Sequence, residues 1–402
     1  MKSQTQNIKN RIIAYITCSE KITSYTGNKD FFIGKGTIKN PEGLRKLELD
    51  RENSLGKNEM VAIEMKIELD SFESKDVVIT LGAGDEQLDI QDTAYKYTNV
   101  NNAINEYENT KRYWRDLLGT IKVSTPLESM NIMLNGWLLY QTLCSRLYAR
   151  SGYYQSGGAF GFRDQLQDCI GLKYISQEFL RNQILKHSEH QFVEGDVEHW
   201  WHEETARGIR TRFSDDLLWL PYMVIEYIKY TGKYDILYEE THYVKGAPLE
   251  ENVDERYELY LPSEKKESIL EHCIRAIDKS LNFGENGLPK IGSGDWNDGF
   301  STVGNKGRGE SVWLGFFQYT VLKGFILILE KIKEVLMGKV KLETGNNSES
   351  LELKIEKISE KINIYNNITE KLKRALNTNG WDGRWYRRAF MDDGNVLRKY
   401  KE

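Results

Sequence analysis

The stretch SVWLGFFQYTVLKGFILILEKIKEVL, residues 311–336, decides the fold class of this chain. Its apolar residues follow a helical period, which indicates a helix that is buried along much of its length. Within it, Gln318 and Lys323 interrupt the longest apolar run of the sequence, and that run is too short for an uninterrupted membrane span. The stretch therefore predicts a core helix and no membrane partner.

Helix-period segments dominate the chain from residue 127 onward, and Gly-rich and aromatic loops separate them. The other four such segments are LESMNIMLNGWLLYQTLCSRLY (127–148), FRDQLQDCIGLKYI (162–175), SDDLLWLPYMVIEYIKYTG (214–232) and ESILEHCIRAIDKSLNF (267–283). Repeated helices with polar loops between them favour a helical bundle or toroid that carries its functional site at one end.

The N-terminal part of the chain has a different pattern. Residues 60–82 alternate apolar and polar side chains around a polar turn, which predicts two half-buried strands. Residues 98–118 predict a connecting helix that ends before Gly119, and IKVST at 121–125 predicts a short strand. We therefore expect a β region over 1–97, a linker helix and strand over 98–126, and a helical domain over 127–402.

The charge balance limits the partners that the protein can bind, and the cysteine usage indicates its cellular compartment. The chain has 55 basic and 60 acidic residues, a net charge of −5, so no overall field attracts nucleic acid or an anionic membrane. The four cysteines show no CxxC spacing, and the first residues lack the apolar core of a signal peptide. We expect reduced thiols, a cytoplasmic location and a neutral or small-molecule partner.

The aromatic content allows two interpretations. The 9 Trp, 23 Tyr and 14 Phe residues often lie beside polar residues in loop-like stretches. They fit a large core with half-buried rings at its margins, and composition favours this reading. They also fit a carbohydrate site, in which ring faces cover the sugar and polar side chains bind its hydroxyls.

Two segments combine glycine or aromatic residues with charged ones. SGGAFGFRDQLQD, residues 156–168, places Arg163 and Asp164 after small residues, where they can bind a ligand or pair to cap a helix. EGDVEHWWHEETARGIRTRFSDDLLWLP, residues 194–221, has Ala206 where a zinc protease needs its second histidine. The His199 and His202 pair lacks a marked third ligand, so we predict a sugar-binding aromatic wall here and no metal.

The segment GSGDWNDG, residues 292–299, gathers two aspartates, an asparagine and a tryptophan between glycines. A carboxylic acid beside a tryptophan and a second carboxylate can protonate the leaving oxygen of a glycoside. The same composition also fits a turn in which Asp and Asn side chains cap the local backbone.

Five segments together carry a family resemblance. They are GAFGFRDQLQD (158–168), EGDVEHWWHEETARGIRTRFSDDLLWLPY (194–222), GSGDWNDGF (292–300), GRGESVWLGFF (307–317) and WDGRWYRRAFMDDG (381–394). In order and spacing they resemble glycoside hydrolase family 94, the inverting cellobiose, chitobiose and β-1,2-oligoglucan phosphorylases. The family also includes the phosphorylase-like part of cyclic β-1,2-glucan synthase, and HWWH resembles this β-1,2-glucan branch.

The resemblance implies a mainly α fold with an N-terminal β-sandwich, a linker helix and an (α/α)6 barrel. It also implies inverting phosphorolysis of a β-linked glucose oligosaccharide, β-1,2 or β-1,4, to α-glucose 1-phosphate. Inorganic phosphate is then a co-substrate, and no other cofactor is expected.

The resemblance also implies roles for five residues. Asp298 matches the family's general acid, and Trp296 lies beside it in the donor-sugar site. Asp164 matches a residue that binds glucosyl hydroxyls, Arg163 an arginine that reaches both sugar and phosphate, and Arg150 a further donor-site arginine.

Family members continue beyond the DDG segment, whereas this sequence stops at residue 402. We therefore expect a partial barrel and an incomplete sandwich, weak activity of the 402 residues alone, and either a complementing C-terminal chain or a homodimer. Two other functions stay open. One is an inverting hydrolase with Glu203, Asp215 or Asp216 as base, and the other is a non-catalytic carbohydrate-binding protein.

Overall fold

A computed structural model describes residues 13–53, 59–84, 87–148, 158–203, 205–342 and 346–397. About half of the chain is helical, and its first part forms a β region, as the sequence predicts. The residues group into two compact units, Met1–Asp116 and Leu117–Glu402.

Among its described residues, the first unit has two antiparallel strand pairs. Its elements are β1 (Ile13–Cys18), β2 (Ile22–Asn28), α1 (Lys29–Ile33), β3 (Glu59–Met65), β4 (Ile79–Gly84), α2 (Gln87–Thr98) and the start of α3 (Val100–Leu118). The two strands predicted from the alternation over 60–82 are β3 and β4. Each pairs with an earlier strand, β3 with β2 and β4 with β1. The incomplete sandwich expected from the sequence stays a prediction.

The predicted linker helix is α3, whereas the predicted strand at 121–125 is wrong. The segment takes its partners from asparagine side chains instead of another strand. Asn135 accepts from the Val123 N–H at 2.6 Å and donates to the Val123 carbonyl at 2.8 Å. Asn131 forms the equivalent pair of bonds with Thr125. The segment at 121–125 therefore satisfies these backbone groups without joining a sheet.

The second unit is built mainly from helices. They are α4 (Glu128–Ile132), α5 (Leu138–Thr142), α6 (Phe162–Leu172), α7 (Gln177–Ser188), α8 (Asp216–Thr231), α9 (Ile269–Ser280), α10 (Val312–Val340) and α11 (Asn346–Thr378). The helical segments predicted at 127–148, 162–175, 214–232, 267–283 and 311–336 are thereby confirmed. The segment at 127–148 also contains wider π-helical turns at Met133–Trp137 and Leu143–Tyr148. Gly136 has a φ of 140° at a kink inside the first of these two turns.

Short strands lie between these helices. They are β5 (Phe160–Gly161), β6 (Glu198–His202), β7 (Arg207–Thr211), β8 (Glu240–Lys245), β9 (Glu255–Leu259), β10 (Leu261–Ser268), β11 (Glu310–Ser311), β12 (Ala389–Phe390) and β13 (Val396–Leu397). One sheet has the order β5-β6-β7-β9, another β11-β12-β13, and β8 pairs with β10. All of these pairings are antiparallel.

Helix α10 is the core helix that the opening stretch predicts. It is long and apolar enough to cross a membrane by length and composition, but 56% of its most apolar 18-residue window is buried inside the protein. It packs against α8 and α11. Burial among other helices accounts for its apolar character.

Further contacts connect helices that are close in sequence. Helix α6 packs against α7 and α8, and α8 packs against α9. This arrangement gives the helical domain its core, while the partial (α/α)6 barrel stays a prediction.

The sheet that carries β6 and β7 tolerates no side chain at Gly208. A Cβ there would lie 1.8 Å from Oε1 of the buried Glu198 and 3.1 Å from the Trp200 carbonyl oxygen. Glu198 is 1% exposed and His190 contacts its carboxyl at 2.6 Å, so moving that group away from a new Cβ would disturb this contact. We expect Gly208→Ala to lower the free energy of unfolding by about 1–3 kcal/mol, measured by urea denaturation.

Gly171→Ala provides the matched control. Gly171 is an exposed residue of α6, and a Cβ there meets nothing within 4 Å. Alanine is the better helix former by about 1 kcal/mol, so this variant should be at least as stable as the wild type. Equal effects of the two substitutions would contradict the packing described for Gly208.

Candidate active site

The loop at 291–300 is attached to the chain just after β7. Phe213 forms bridges with Gly292 and Gly294, and the Ser214 hydroxyl donates to the carbonyls of Ile291 and Gly294. Gly292 has a φ of 61°, and a Cβ there would lie 2.1 Å from the Arg212 carbonyl oxygen. Glycine is therefore required for this close approach, which places the following residues beside the start of α6.

Arg163, in the first turn of α6, lies at the centre of the site. Its Nη1 donates to Asp215 Oδ1 and to the Asp295 carbonyl, both at 3.0 Å, and its Nη2 contacts the carboxylate of Asp298. Asp216 lies 3.8 Å from the same guanidinium. The side chain is only 7% exposed, so this buried cation joins three segments that are distant in sequence.

Asp215 and Asp216 stand at the N-terminus of α8, where the helix dipole favours negative charge. Both are buried, and the Trp219 indole donates to Asp215 Oδ2 at 3.1 Å. Burial and the adjacent Asp216 carboxylate raise the pKa of Asp215 to about 7, although Arg163 acts in the opposite direction.

His199 of β6 is the second basic side chain that contacts this acidic pair. Its Nδ1 lies 2.7 Å from Asp216 Oδ2, and its ring stacks on Phe213 with centroids 4.4 Å apart. Burial opposes protonation, but the Asp216 carboxylate outweighs that effect and raises the pKa of His199. Asp216 therefore connects the imidazole to the Arg163 guanidinium.

Asp298 and Trp296 form the solvent-facing side of the site. Asp298 begins a short 3₁₀ turn, Asp298–Phe300, and its side chain is 62% exposed. Trp296 is 50% exposed, and its indole N–H donates to Gln167 Oε1 on α6 at 2.9 Å. A carboxyl group and a ring face are thus both available to a ligand from solvent.

The structure brings three of the five predicted site residues together, Arg163, Trp296 and Asp298. Asp164 is the next residue of α6 and is half-buried. Arg150 lies outside the described residues. No finding assigns a role to any of the five, so their roles stay predictions.

The aromatic wall predicted at HWWH is wrong for Trp201. Side chains alternate between the two faces of a strand, and Trp201 falls on the inner face of β6, where it is 1% exposed. It stacks on His190 with centroids 3.7 Å apart and on Phe160 at 5.6 Å. Trp200 falls on the other face, beside Tyr257.

The two histidines considered as a metal pair have separate partners. His199 is bound to Asp216, whereas His202 lies 3.4 Å from the Tyr257 hydroxyl. In the part of the chain that the structure describes, no three His, Cys, Asp or Glu side chains are grouped so that they could hold a metal ion.

Sequence reasoning missed the pair formed by Asp295 and Arg388. The Arg388 guanidinium binds both oxygens of the buried Asp295 carboxylate, at 2.6 and 2.7 Å. Both residues lie in segments that carry the family resemblance, but 93 residues separate them. One sequence alone gives no sign that they meet.

Comparison with known families accounts for both parts of the chain. Residues 2–100 match the Glycosyl hydrolase 94 supersandwich domain, and residues 113–401 match the Glycosyl hydrolase 94 superfamily catalytic domain. A supersandwich followed by a helical catalytic domain defines a protein of the glycoside hydrolase class. This chain belongs to glycoside hydrolase family 94.

Three relatives illustrate the range of the family. The chain is 35% identical over 96% of its length to a cyclic beta-(1,2)-glucan synthase, NdvB, of Rhizobium meliloti (strain 1021). It is 29% identical over 70% of its length to a solabiose phosphorylase of Paenibacillus borealis, and 22% identical over 96% to an N,N'-diacetylchitobiose phosphorylase of Vibrio furnissii. It spans 13%, 30% and 46% of these proteins, respectively, which is less than half of each.

Proposed function

We propose that this chain carries the donor-sugar part of an inverting glycoside phosphorylase site. In the proposed reaction the Asp298 carboxyl gives its proton to the glycosidic oxygen as the bond to the anomeric carbon breaks. A phosphate oxygen attacks that carbon from the opposite face, so a β-glucoside yields α-glucose 1-phosphate and a sugar shortened by one unit.

The observation that carries this proposal is the placement of Asp298. Its carboxyl group is exposed beside the half-exposed Trp296 ring, and the buried Arg163 guanidinium contacts it from behind. A sugar that stacks on the ring would have its leaving oxygen near this carboxyl group. Arg163 is also the proposed contact to sugar and phosphate, and Asp164 and Arg150 are proposed donor-site residues.

The surroundings of the other acidic residues favour phosphate over water as the nucleophile. Phosphate is already an anion, so its attack requires no carboxylate base. Of the three candidate bases of a hydrolase, Asp215 and Asp216 are buried against Arg163 and His199. Glu203 forms an ion pair with Lys186.

The choice of substrate rests on the relatives. Similarity to a cyclic beta-(1,2)-glucan synthase over 96% of the chain favours a β-1,2-linked glucose oligosaccharide over a β-1,4-linked one. Phosphate, or glucose 1-phosphate in the reverse direction, is the second substrate. A homodimer and a cytoplasmic location are parts of the same proposal.

Product analysis tests this function. We expect the protein that carries this chain to convert sophorose and inorganic phosphate to α-glucose 1-phosphate, detected by ³¹P NMR, with cellobiose as the comparison substrate. Release of free glucose without phosphate would instead identify a hydrolase. Sugar binding without turnover in either condition would identify a carbohydrate-binding protein.

A further inference from the structure

Arg388 holds a buried carboxylate three residues before Asp298. It directly precedes β12, and its Nη2 and Nη1 donate to the two oxygens of Asp295 at 2.6 and 2.7 Å. Asp295 is fully buried, whereas the Arg388 side chain is 29% exposed, and the two-point contact between them has a defined geometry. The guanidinium also lies over the Phe300 ring, 4.6 Å from its centroid.

The Arg388–Asp295 pair is attached to a rigid part of the fold. The Ser311 hydroxyl donates to Asp295 Oδ2 at 2.6 Å and accepts from the Leu314 N–H at 3.0 Å as the N-cap of α10. The Val312 N–H donates to the Arg388 carbonyl at 3.2 Å. Both members of the ion pair are therefore hydrogen-bonded to the start of α10.

Asp295 in turn fixes the backbone that leads to Asp298. Its Oδ1 accepts from the Asn297 N–H at 3.0 Å, and its carbonyl accepts from Arg163 Nη1 at 3.0 Å. Asn297 Oδ1 then accepts from the Gly299 N–H at 3.0 Å. A rotation of the Asp295 side chain would break the first of these bonds and shift the turn that presents Trp296 and Asp298.

We propose that Arg388 is a positioning residue, which sets the location of Asp298 and Trp296 through the carboxylate of Asp295 without touching the substrate. The structural part of this inference stands on the contacts above, whereas its kinetic part rests on the proposed function. Arg388 is not among the site residues predicted from the sequence.

Hydrogen exchange tests the structural part without requiring turnover. We would compare wild type, Arg388→Met and Arg388→Lys by mass spectrometry of peptides that cover residues 291–300. Arg388→Met should exchange faster in this loop while far-UV circular dichroism stays unchanged, and Arg388→Lys, which keeps one charged donor, should lie between. Exchange in the loop that equals the wild type in both variants would overturn the inference.

Arg384→Met is the matched control. Arg384 belongs to the same segment as Arg388 but is exposed, and it lies over the ring of Trp385. The same chemical change at this position should leave exchange at 291–300 unaltered. An equal increase in this control would show that the loop responds to any change in the segment and would also overturn the inference.

Kinetics test whether the loop position serves catalysis. Because Asp298 shifts while Arg163 and Asp164 on α6 stay in place, Arg388→Met should lower kcat by about 100-fold, and displacement of Trp296 should raise KM by a much smaller factor. The double variant Asp298→Asn/Arg388→Met should lose no more than Asp298→Asn alone, since both act through one group. A further loss in the double variant would show that Arg388 does not act through Asp298.

The exchange and kinetic experiments together distinguish failure of this inference from failure of the proposed function. Faster exchange in Arg388→Met, in a protein whose wild type shows no turnover, would support the positioning role and count against the phosphorylase. Turnover by the wild type together with unchanged exchange in Arg388→Met would support the phosphorylase and count against the positioning role.

Discussion

Replacing Asp298 with asparagine is expected to lower the rate of phosphorolysis of a β-glucan disaccharide by about 10²–10⁴. Asparagine keeps the shape of the side chain but has no proton to donate to a departing sugar oxygen. The side chain is 62% exposed, so the substitution should leave the fold intact. The KM for the disaccharide should change little, because Trp296 and Arg163 remain. Initial rates of α-glucose 1-phosphate formation would measure the effect.

Asp76→Asn is the control for this change. Asp76 is an exposed aspartate that is not among the residues of the described site, so the same substitution there removes a carboxylate of another segment. It should have wild-type kinetics. A turnover rate in Asp298→Asn that stays within a factor of a few of the wild type would exclude Asp298 as the general acid.

Replacing Arg163 with methionine should cause the largest loss of stability. Its guanidinium is 7% exposed. This group lies 3.0 Å from the buried carboxylate of Asp215 and 3.8 Å from that of Asp216. Removing one partner of a buried ion pair leaves the other charge uncompensated, which costs about 3–5 kcal/mol. Urea denaturation at pH 8 would measure this loss.

The loss of stability should depend on pH. Burial raises the pKa of Asp215 to about 7, so stability due to this group is present below its unfolded pKa of about 3.9 and is lost as pH rises through about 7. Arg163 opposes that rise, so Arg163→Met should raise the pKa of Asp215 further. The pKa of His199 is also raised, so the stability due to His199 is likewise lost as pH rises through that raised pKa. The difference between variant and wild type should therefore be smaller at pH 5.5 than at pH 8.

Arg115→Met is the matched control for Arg163→Met. Arg115 forms an exposed ion pair with Asp116, in which the side chains are 73% and 68% exposed. Exposed pairs contribute at most about 1 kcal/mol, so this variant should stay close to the wild type at both pH values. A loss in Arg163→Met that is equal at pH 5.5 and pH 8 would contradict the assignment of the effect to buried carboxylates.

Local sequence patterns predicted most of the secondary structure. The helical period at 311–336 identified α10, and the apolar run at 214–232 identified α8, which ends at Gly232 with a φ of 70°. Alternation identified β3 and β4. These signals succeed because each depends on which face of one element is buried. The strand predicted at 121–125 failed because its polar partners are two asparagine side chains, which local propensity cannot reveal.

The site was less predictable, because its residues meet only after folding. The family resemblance singled out Asp298, Trp296 and Arg163, which the structure brings together. Trp201 was assigned to a sugar-binding wall because a pair of adjacent tryptophans does not show which of them faces the core. Asp295 and Arg388 form their ion pair through the meeting of α10 with β12, and no local pattern encodes that contact.

The most direct test of the central claim, that Asp298 protonates the departing oxygen, compares two leaving groups. A 2,4-dinitrophenyl β-glucoside has a leaving group that departs without protonation, whereas the sugar of a disaccharide does not. With phosphate present, Asp298→Asn should lose about 10²–10⁴ in rate on the disaccharide and far less on the dinitrophenyl glucoside. Equal losses on both substrates would contradict the claim, because the residue would then serve binding or structure instead of proton transfer.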